Sequence, residues 1–209
     1  MEKLRSGVPA ELILRSLGSE PSSHLYAQQP RVRKQRSRTP VVRPRRLKGI
    51  GGVWQLTAVD VATRTAVVQL IVGDKTAAVA AAFLDHLRRA LRQHGIGLDG
   101  VLTDNGPEFT GKAFTTRAAE LGLTHHRIPP RSPNHNSVCE RFHGTVLDEF
   151  YRPQFHRGRV DDVRLLDRSL QAWLVDYNTA RPNHGAYMAG RTPLEVKKHL
   201  KKRLRKTAA

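Results

Sequence analysis

Between Val53 and Tyr177 the apolar residues change their period in a fixed order, and that order restricts the chain to one class of fold. VWQLTAVD (53–60) and TAVVQLIVG (65–73) are rich in β-formers, and the intervening DVATR reads as a turn, so the two make a hairpin. KTAAVAAAFLDHLRRALRQHG (75–95) then places Val79, Phe83, Leu87 and Leu91 on one stripe, with Gly95 as a stop: an amphipathic helix. GLDGVLTD (97–104) reads as a third strand and PEFTGKAFTTRAAELG (107–122) as a helix with Pro at its start and Gly at its end. THHRIPP (124–130) is a short strand. RSPNHNS (131–137) is a polar loop, and VCERFHGTVLDEFY (138–151) is a helix. A last long helix runs from about Asp161 to Tyr177 on Leu166, Leu170, Trp173, Leu174 and Tyr177. Strands first, then alternating helix and strand, imply an α/β domain with a mixed sheet flanked by helices.

The ends have a different texture. Residues 31–48 carry nine Lys or Arg and no acid, a run that repels itself and cannot bury a core. Residues 1–46 therefore read as a basic, poorly ordered arm holding one weakly helical segment, roughly Ala10 to Leu17. Residues 47–196 form the core, and 197–209 form a basic, poorly ordered tail. Across 209 residues, 36 Lys and Arg face 18 acids, a net charge of +18, which makes nucleic acid the expected partner. One cysteine, Cys139, excludes an internal disulfide and a multi-cysteine zinc site. No apolar run approaches a membrane span, and the N-terminus is a poor signal peptide, so a cytoplasmic, DNA-associated location is expected.

Two acids stand out against this basic background. Asp104 ends a strand in LTDNGPEF, and Glu140 sits early in a helix in SPNHNSVCERFHGT, with thirty-five residues between them. Carboxylates are the ligands that hard, octahedral Mg²⁺ prefers, and a strand end is where an open α/β sheet exposes its crevice. Each acid also has a plain structural reading: an Asx turn for Asp104, a first-turn acid favoured by the helix dipole for Glu140. Helical spacing expects His143 and Gly144 to share the face of Glu140. Arg131, Asn134, His135, Asn136, Arg141 and His143 surround Glu140 as candidate DNA contacts. His125 and His126 read as strand-end residues, Cys139 as a small helix residue, and Trp54 and Trp173 as core.

WQLTAVDVATR, LTDNGPEF, RSPNHNSVCERFHGT and YNTARPNHGAYMAGRTP together resemble the integrase-type catalytic core of bacterial insertion-sequence transposases. The resemblance covers roughly residues 47–196. It implies a ribonuclease H-like fold and metal-dependent phosphoryl transfer in DNA integration and transposition, with Mg²⁺ or Mn²⁺ as cofactor and homo-oligomers assembled on DNA. The family's acidic triad is an Asp on the first strand, an Asp on the fourth and a Glu on the following helix; Asp104 matches the second and Glu140 the third. Relatives carry Asp–Thr–Phe ahead of a Leu–Lys–Gly segment. This chain has Leu47–Lys48–Gly49, but Arg38–Thr39–Pro40 is the nearest upstream match, so Arg38 stands for the acid. Between Glu20 and Asp60 there is no acid; Asp60 is a second candidate for the first ligand, but its place before the turn favours a cap. The expectation is a truncated or frame-disrupted transposase core with impaired catalysis; the alternative is a non-catalytic DNA-binding remnant. A ribosomal-type RNA binder would leave the two acids unexplained.

Overall fold

A computed structural model describes residues 11–17, 52–129, 137–157 and 162–207; for 11–17 and 204–207 the description is of the backbone alone. The strands are β1 (Glu11–Leu17), β2 (Val53–Asp60), β3 (Ala66–Val72), β4 (Gly100–Thr103) and β5 (Thr124–Arg127). They form one mixed sheet in the order β3-β2-β1-β4-β5. β2 pairs antiparallel with both β3 and β1, whereas β1–β4 and β4–β5 are parallel. The helices are α1 (Ala77–Gln93), α2 (Pro107–Thr110), α3 (Lys112–Glu120), α4 (Ser137–Val146), α5 (Arg152–His156), α6 (Val163–Thr179) and α7 (Pro193–Thr207), with a π-helical turn, Leu147–Tyr151, joining α4 to α5.

Alternation along the hairpin divides its side chains between two cores. Leu56, Ala58 and Val67 meet Phe83, Leu84, Leu87 and Leu91 of α1 and Phe114 of α3. Val59, Ala66 and Val68 meet Phe142 and Val146 of α4, Phe150 of the π turn, and Leu170, Leu174 and Tyr177 of α6. Gln55 and Thr57 share that second face despite being polar. Tyr151 OH donates to Gln55 Oε1, and Gln55 Nε2 donates to Thr57 Oγ1 at 2.8 Å, so the buried chain is paired within itself.

Edge strand β3 leaves backbone groups that have no neighbouring strand, and α6 covers them with two amide side chains seven residues apart. Asn178 Oδ1 accepts from Ala66 N and Asn178 Nδ2 donates to Ala66 O, both at 2.9 Å. Gln171 Nε2 donates to Val68 O at 3.1 Å. Capped edges of this kind cannot recruit a foreign strand.

Three expectations are corrected. Of the segment read as weakly helical, Ala10 to Leu17, residues Glu11–Leu17 are instead the central strand β1; the rest of the 1–46 arm lies outside the described residues. ELILRSL is made of good helix formers, and here the ladders on both of its sides override that local preference. The helix expected over 107–122 is two, because Gly111 is extended (φ −68°, ψ 149°) and a Cβ there would stand 2.5 Å from Ala77 Cβ of α1. The tail expected to be poorly ordered from 197 is the body of α7. Its start is a reciprocal cap: Thr192 N donates to Glu195 Oε2 at 2.8 Å and Glu195 N donates to Thr192 Oγ1 at 3.2 Å. Buried Val196 ties that first turn to the domain. None of the helices among the described residues is long and apolar enough to cross a membrane.

Candidate catalytic site

Asp104 follows β4 directly, at the end where the strand leaves the sheet. Its loop is fixed from several sides. Ile128 N donates to Thr103 O at 2.8 Å, Asn105 Nδ2 donates to Ile128 O at 2.9 Å, and Gly106 N donates to Asp104 Oδ1 at 3.0 Å. The last is the Asx turn foreseen from the sequence, yet it engages one oxygen only. The residue is half-buried, and among the described residues Oδ2 accepts no hydrogen bond. One carboxylate oxygen is thus used for orientation while the other stays available to a ligand.

A residue the sequence reading passed over holds this loop from behind. Glu108 is buried in α2 and pairs with Lys75 at 3.0 Å, and Lys75 Nζ lies 4.8 Å from the centre of the Trp54 ring. A Cβ on Gly106 would fall 2.7 Å from Glu108 Oε2 and 3.0 Å from Asp104 Oδ1, so glycine lets the two carboxylates approach from either side. The Pro-Glu pair after Asn-Gly was the available signal: an acid in a helix's first turn that faces the core must have a cation partner. Thr103 Oγ1 also contacts His125 Nε2 at 2.9 Å, and His125 packs edge-on against Phe114. Burial, then the charges of Arg127 and His126, hold His125 below the usual imidazole range. It is a strand residue joined to its neighbour, as expected from the sequence.

Glu140 lies on the exposed side of α4. The buried face of that helix is Cys139, Phe142, His143 and Val146, a clean i, i+3, i+4, i+7 pattern. His143 was expected beside Glu140 as a DNA contact; it is instead 6% exposed, 3.7 Å from Cys139 Sγ, and against the Phe142 ring. Its place in the Cys139 stripe removes it from the surface. Arg141 is exposed, one residue beyond Glu140. Arg131, Asn134, His135 and Asn136 lie outside the described residues, as does Arg38.

Asp60 is fully buried and closes its own turn. Its carboxylate accepts from Thr63 N at 2.9 Å, Thr63 Oγ1 at 2.5 Å and Ala62 N at 3.4 Å. Burial raises its pKa against the pull of those bonds. The strand register removes it from Asp104 as well. Asp60 is level with Leu12, and Leu12 with Val101, three residues short of Asp104. Three residues along a strand and two strand spacings across put the two Cα positions roughly 14 Å apart, too far for two short side chains to share one ion.

β1 is the strand that flanks β4 on the side away from β5. β1 pairs Leu14 with Thr103, the last pair of that ladder, and Arg15 pairs with Thr57 of β2. The strand's single acid, Glu11, is level with Gly100 at the far end. Among the described residues no group of three or more His, Cys, Asp or Glu side chains could hold a metal ion. Carboxylates such as Asp104 and Glu140 suit a hard cation in kind, and a two-metal centre needs a third that the described residues do not add.

Two family models, both described as Integrase core domain, match residues 35–133 and 121–193. The chain is 34% identical over 95 residues to the insertion element IS476 uncharacterized 39.2 kDa protein of Xanthomonas euvesicatoria, covering 44% of this chain and 25% of that protein. It is 32% identical over 128 residues to the IS407 uncharacterized 31.7 kDa protein of Burkholderia multivorans, covering 61% of this chain and 43% of that protein. The chain thus spans less than half the length of these relatives. Among solved structures, a chain of the simian T-cell lymphotropic virus intasome bound to the PP2A regulatory subunit B56 gamma superposes with TM-score 0.63 at 15% identity, over 92% of this chain and 56% of that one. The HTLV-2 integrase catalytic core domain in complex with magnesium gives 0.57 at 14% identity, over 92% and 99%. The fold is that of an integrase catalytic core, ribonuclease H-like.

Proposed function

We propose, on the premise that this chain belongs to the integrase core domain family of bacterial insertion elements, that it binds DNA through a basic surface around Glu140 and is impaired in the family's cutting and joining chemistry. The family acts in DNA integration and transposition. The net charge of +18 supports a DNA partner, because phosphate contacts are electrostatic and need no particular sequence. Self-association on DNA is part of the proposal, in keeping with the trimeric form in which the HTLV-2 core is described.

The observation that supports the impairment is the make-up of the central strand, Glu11–Leu17. Two-metal phosphoryl transfer needs a carboxylate on that strand; β1 offers Glu11, level with Gly100, as its single acid, and Arg38, read from the sequence as the replacement of the acid, lies outside the described residues. Asp104 and Glu140 are the residues that would hold magnesium or manganese, and the ion would supply charge neutralisation at a phosphate. Asp104 contributes a carboxylate oriented by Gly106 N through one of its two oxygens. Glu140 contributes an exposed carboxylate on α4, a helix that packs against β1 and β2. Arg131, Asn134, His135, Asn136 and Arg141 remain the proposed DNA contacts; His143 does not. Without a third carboxylate the pair is expected to bind metal weakly, and no two-metal reaction follows.

Incubating the chain with supercoiled plasmid in Mg²⁺ or Mn²⁺ tests the proposal. Salt-dependent retardation of the plasmid without metal-dependent nicking is expected. Robust nicking that disappears in Asp104→Asn overturns the impairment, and nicking that disappears in Asp60→Ala overturns the assignment of Asp60 to its turn.

A further inference from the structure

One cleft lies at the end of the sheet where β2 turns into β3, away from Asp104. It encloses about 270 Å³ between the β2–β3 turn, the first half of α4 and the segment after α6. Three arginines reach it, Arg64, Arg141 and Arg181, and no Asp or Glu lines it. Arg64 is the unusual one. It sits in the turn at φ 65°, a conformation that L residues rarely adopt. Its guanidinium lies 5.1 Å from the centre of the Tyr187 ring, and Tyr187 is anchored in turn by its OH donating to Ala62 O at 2.7 Å. Arg64 Nη1 is buried with no hydrogen-bond partner. Burial lowers the Arg64 pKa, and the nearby charge of Arg141 adds to the lowering.

Buried donors on a cation are rarely left open, because an unmet charged donor costs more than a neutral one. Arg141 is likewise without a hydrogen-bonding or ionic partner for its guanidinium among the described residues, and it passes over Gly185, where a Cβ would lie 3.4 Å from Nη1. Arg181, by contrast, is already paired: its fork grips Glu149 at 2.6 and 2.5 Å. Two cations that repel each other, one of them half-buried, therefore face a space with no acid in it.

We propose that this cleft binds one phosphodiester group of a DNA strand, with Arg64 and Arg141 donating to its two non-bridging oxygens and Tyr187 holding Arg64 in position. The geometry suits a tetrahedral oxyanion, because guanidinium donors approaching from different elements can each take a different oxygen. Arg141 adjoins Glu140 in sequence, so a strand held here passes the start of α4. The inference rests on the DNA-binding reading above and adds Arg64 to it, a residue with no signal in the sequence.

The test is fluorescence anisotropy of a labelled duplex oligonucleotide with the full chain, without metal, as a function of salt. Arg64→Asn removes the charge with a residue that tolerates positive φ, and Arg141→Gln alters an exposed helix position. Each is expected to lower the slope of log K against log[salt] by about 1. Arg117→Gln, on the other side of the sheet and already paired with Asp85 and Glu120, is expected to leave the slope unchanged. Arg64→Asn should melt at or above the wild-type temperature, since the open buried donor is gone. If Arg64→Asn fails to fold, Arg141→Gln alone decides. Wild-type slopes in both folded variants overturn the cleft and leave DNA binding intact; a wild-type chain that does not bind the duplex overturns both.

Discussion

Asn178→Ala probes the contact that secures the hairpin. The Asn178 amide is 6% exposed and makes both of its bonds, at 2.9 Å each, to the N–H and C=O of Ala66 on an edge strand. Those two backbone groups point away from β2, so alanine leaves both without a partner in a buried place. Each orphaned group costs about 1–3 kcal/mol, and partial entry of water reduces the sum to roughly 2–5 kcal/mol. Against a total stability of about 5–15 kcal/mol that is a large loss. In urea, with a slope of about 1–3 kcal/mol/M, the midpoint should fall by about 1–2 M with the slope unchanged. Hydrogen exchange should show the Ala66 amide losing protection before its neighbours on β2. Asn178→Asp keeps the acceptor for Ala66 N but sets a carboxylate against Ala66 O, so it should recover nothing. An Asn178→Ala midpoint within about 0.2 M of wild type, or an Ala66 amide still protected, would refute the reasoning.

Tyr151→Phe removes the donor to Gln55 Oε1 inside the second core and is expected to cost about 1–3 kcal/mol in the same urea assay, although the substitution keeps the ring. Stability should also depend on pH through His125. Its folded pKa lies below the ordinary 6.5, so the stability it contributes is complete above that value and is lost as pH falls through the depressed one. His86 and His94 are lowered too and act in the same direction. Buried Asp60 is raised and acts in the opposite one. Urea midpoints measured between pH 7.5 and 5 should therefore fall less steeply in His125→Gln than in wild type; parallel curves would remove His125 from the account.

Much of the sheet was legible because its signals are local. Val53–Asp60 and Ala66–Val72 carry β-formers around a turn that Asp60 caps, and α6 shows its apolar stripe in Leu166, Leu170, Leu174 and Tyr177. β1 was not legible, since Glu11–Leu17 prefers helix on its own and takes strand geometry from neighbours distant in sequence. Asp104 was readable from its turn, but the role of Glu108 needed Lys75 and Trp54 beside it. The burial of His143 could have been read from the Cys139–Phe142–Val146 spacing had the apolar stripe been weighed above the position of Glu140. The cap of α7 was equally visible as Thr192 with Glu195 three residues on. Nothing in the sequence marks the left-handed backbone of Arg64, because arginine is not a residue that seeks it.

The middle rung of the sheet, Glu11–Leu17, precedes β2 in sequence, yet it must slot between β2 and β4. The hairpin and α1 are neighbours in sequence and can assemble in microseconds, whereas joining Leu12 to Val101 closes a far longer loop first. Assembly is then expected to be slow and to end with insertion of β1. Until that moment two naked ladders face each other across a gap, and any extended peptide of suitable length, including the same segment from another molecule, competes for the vacancy.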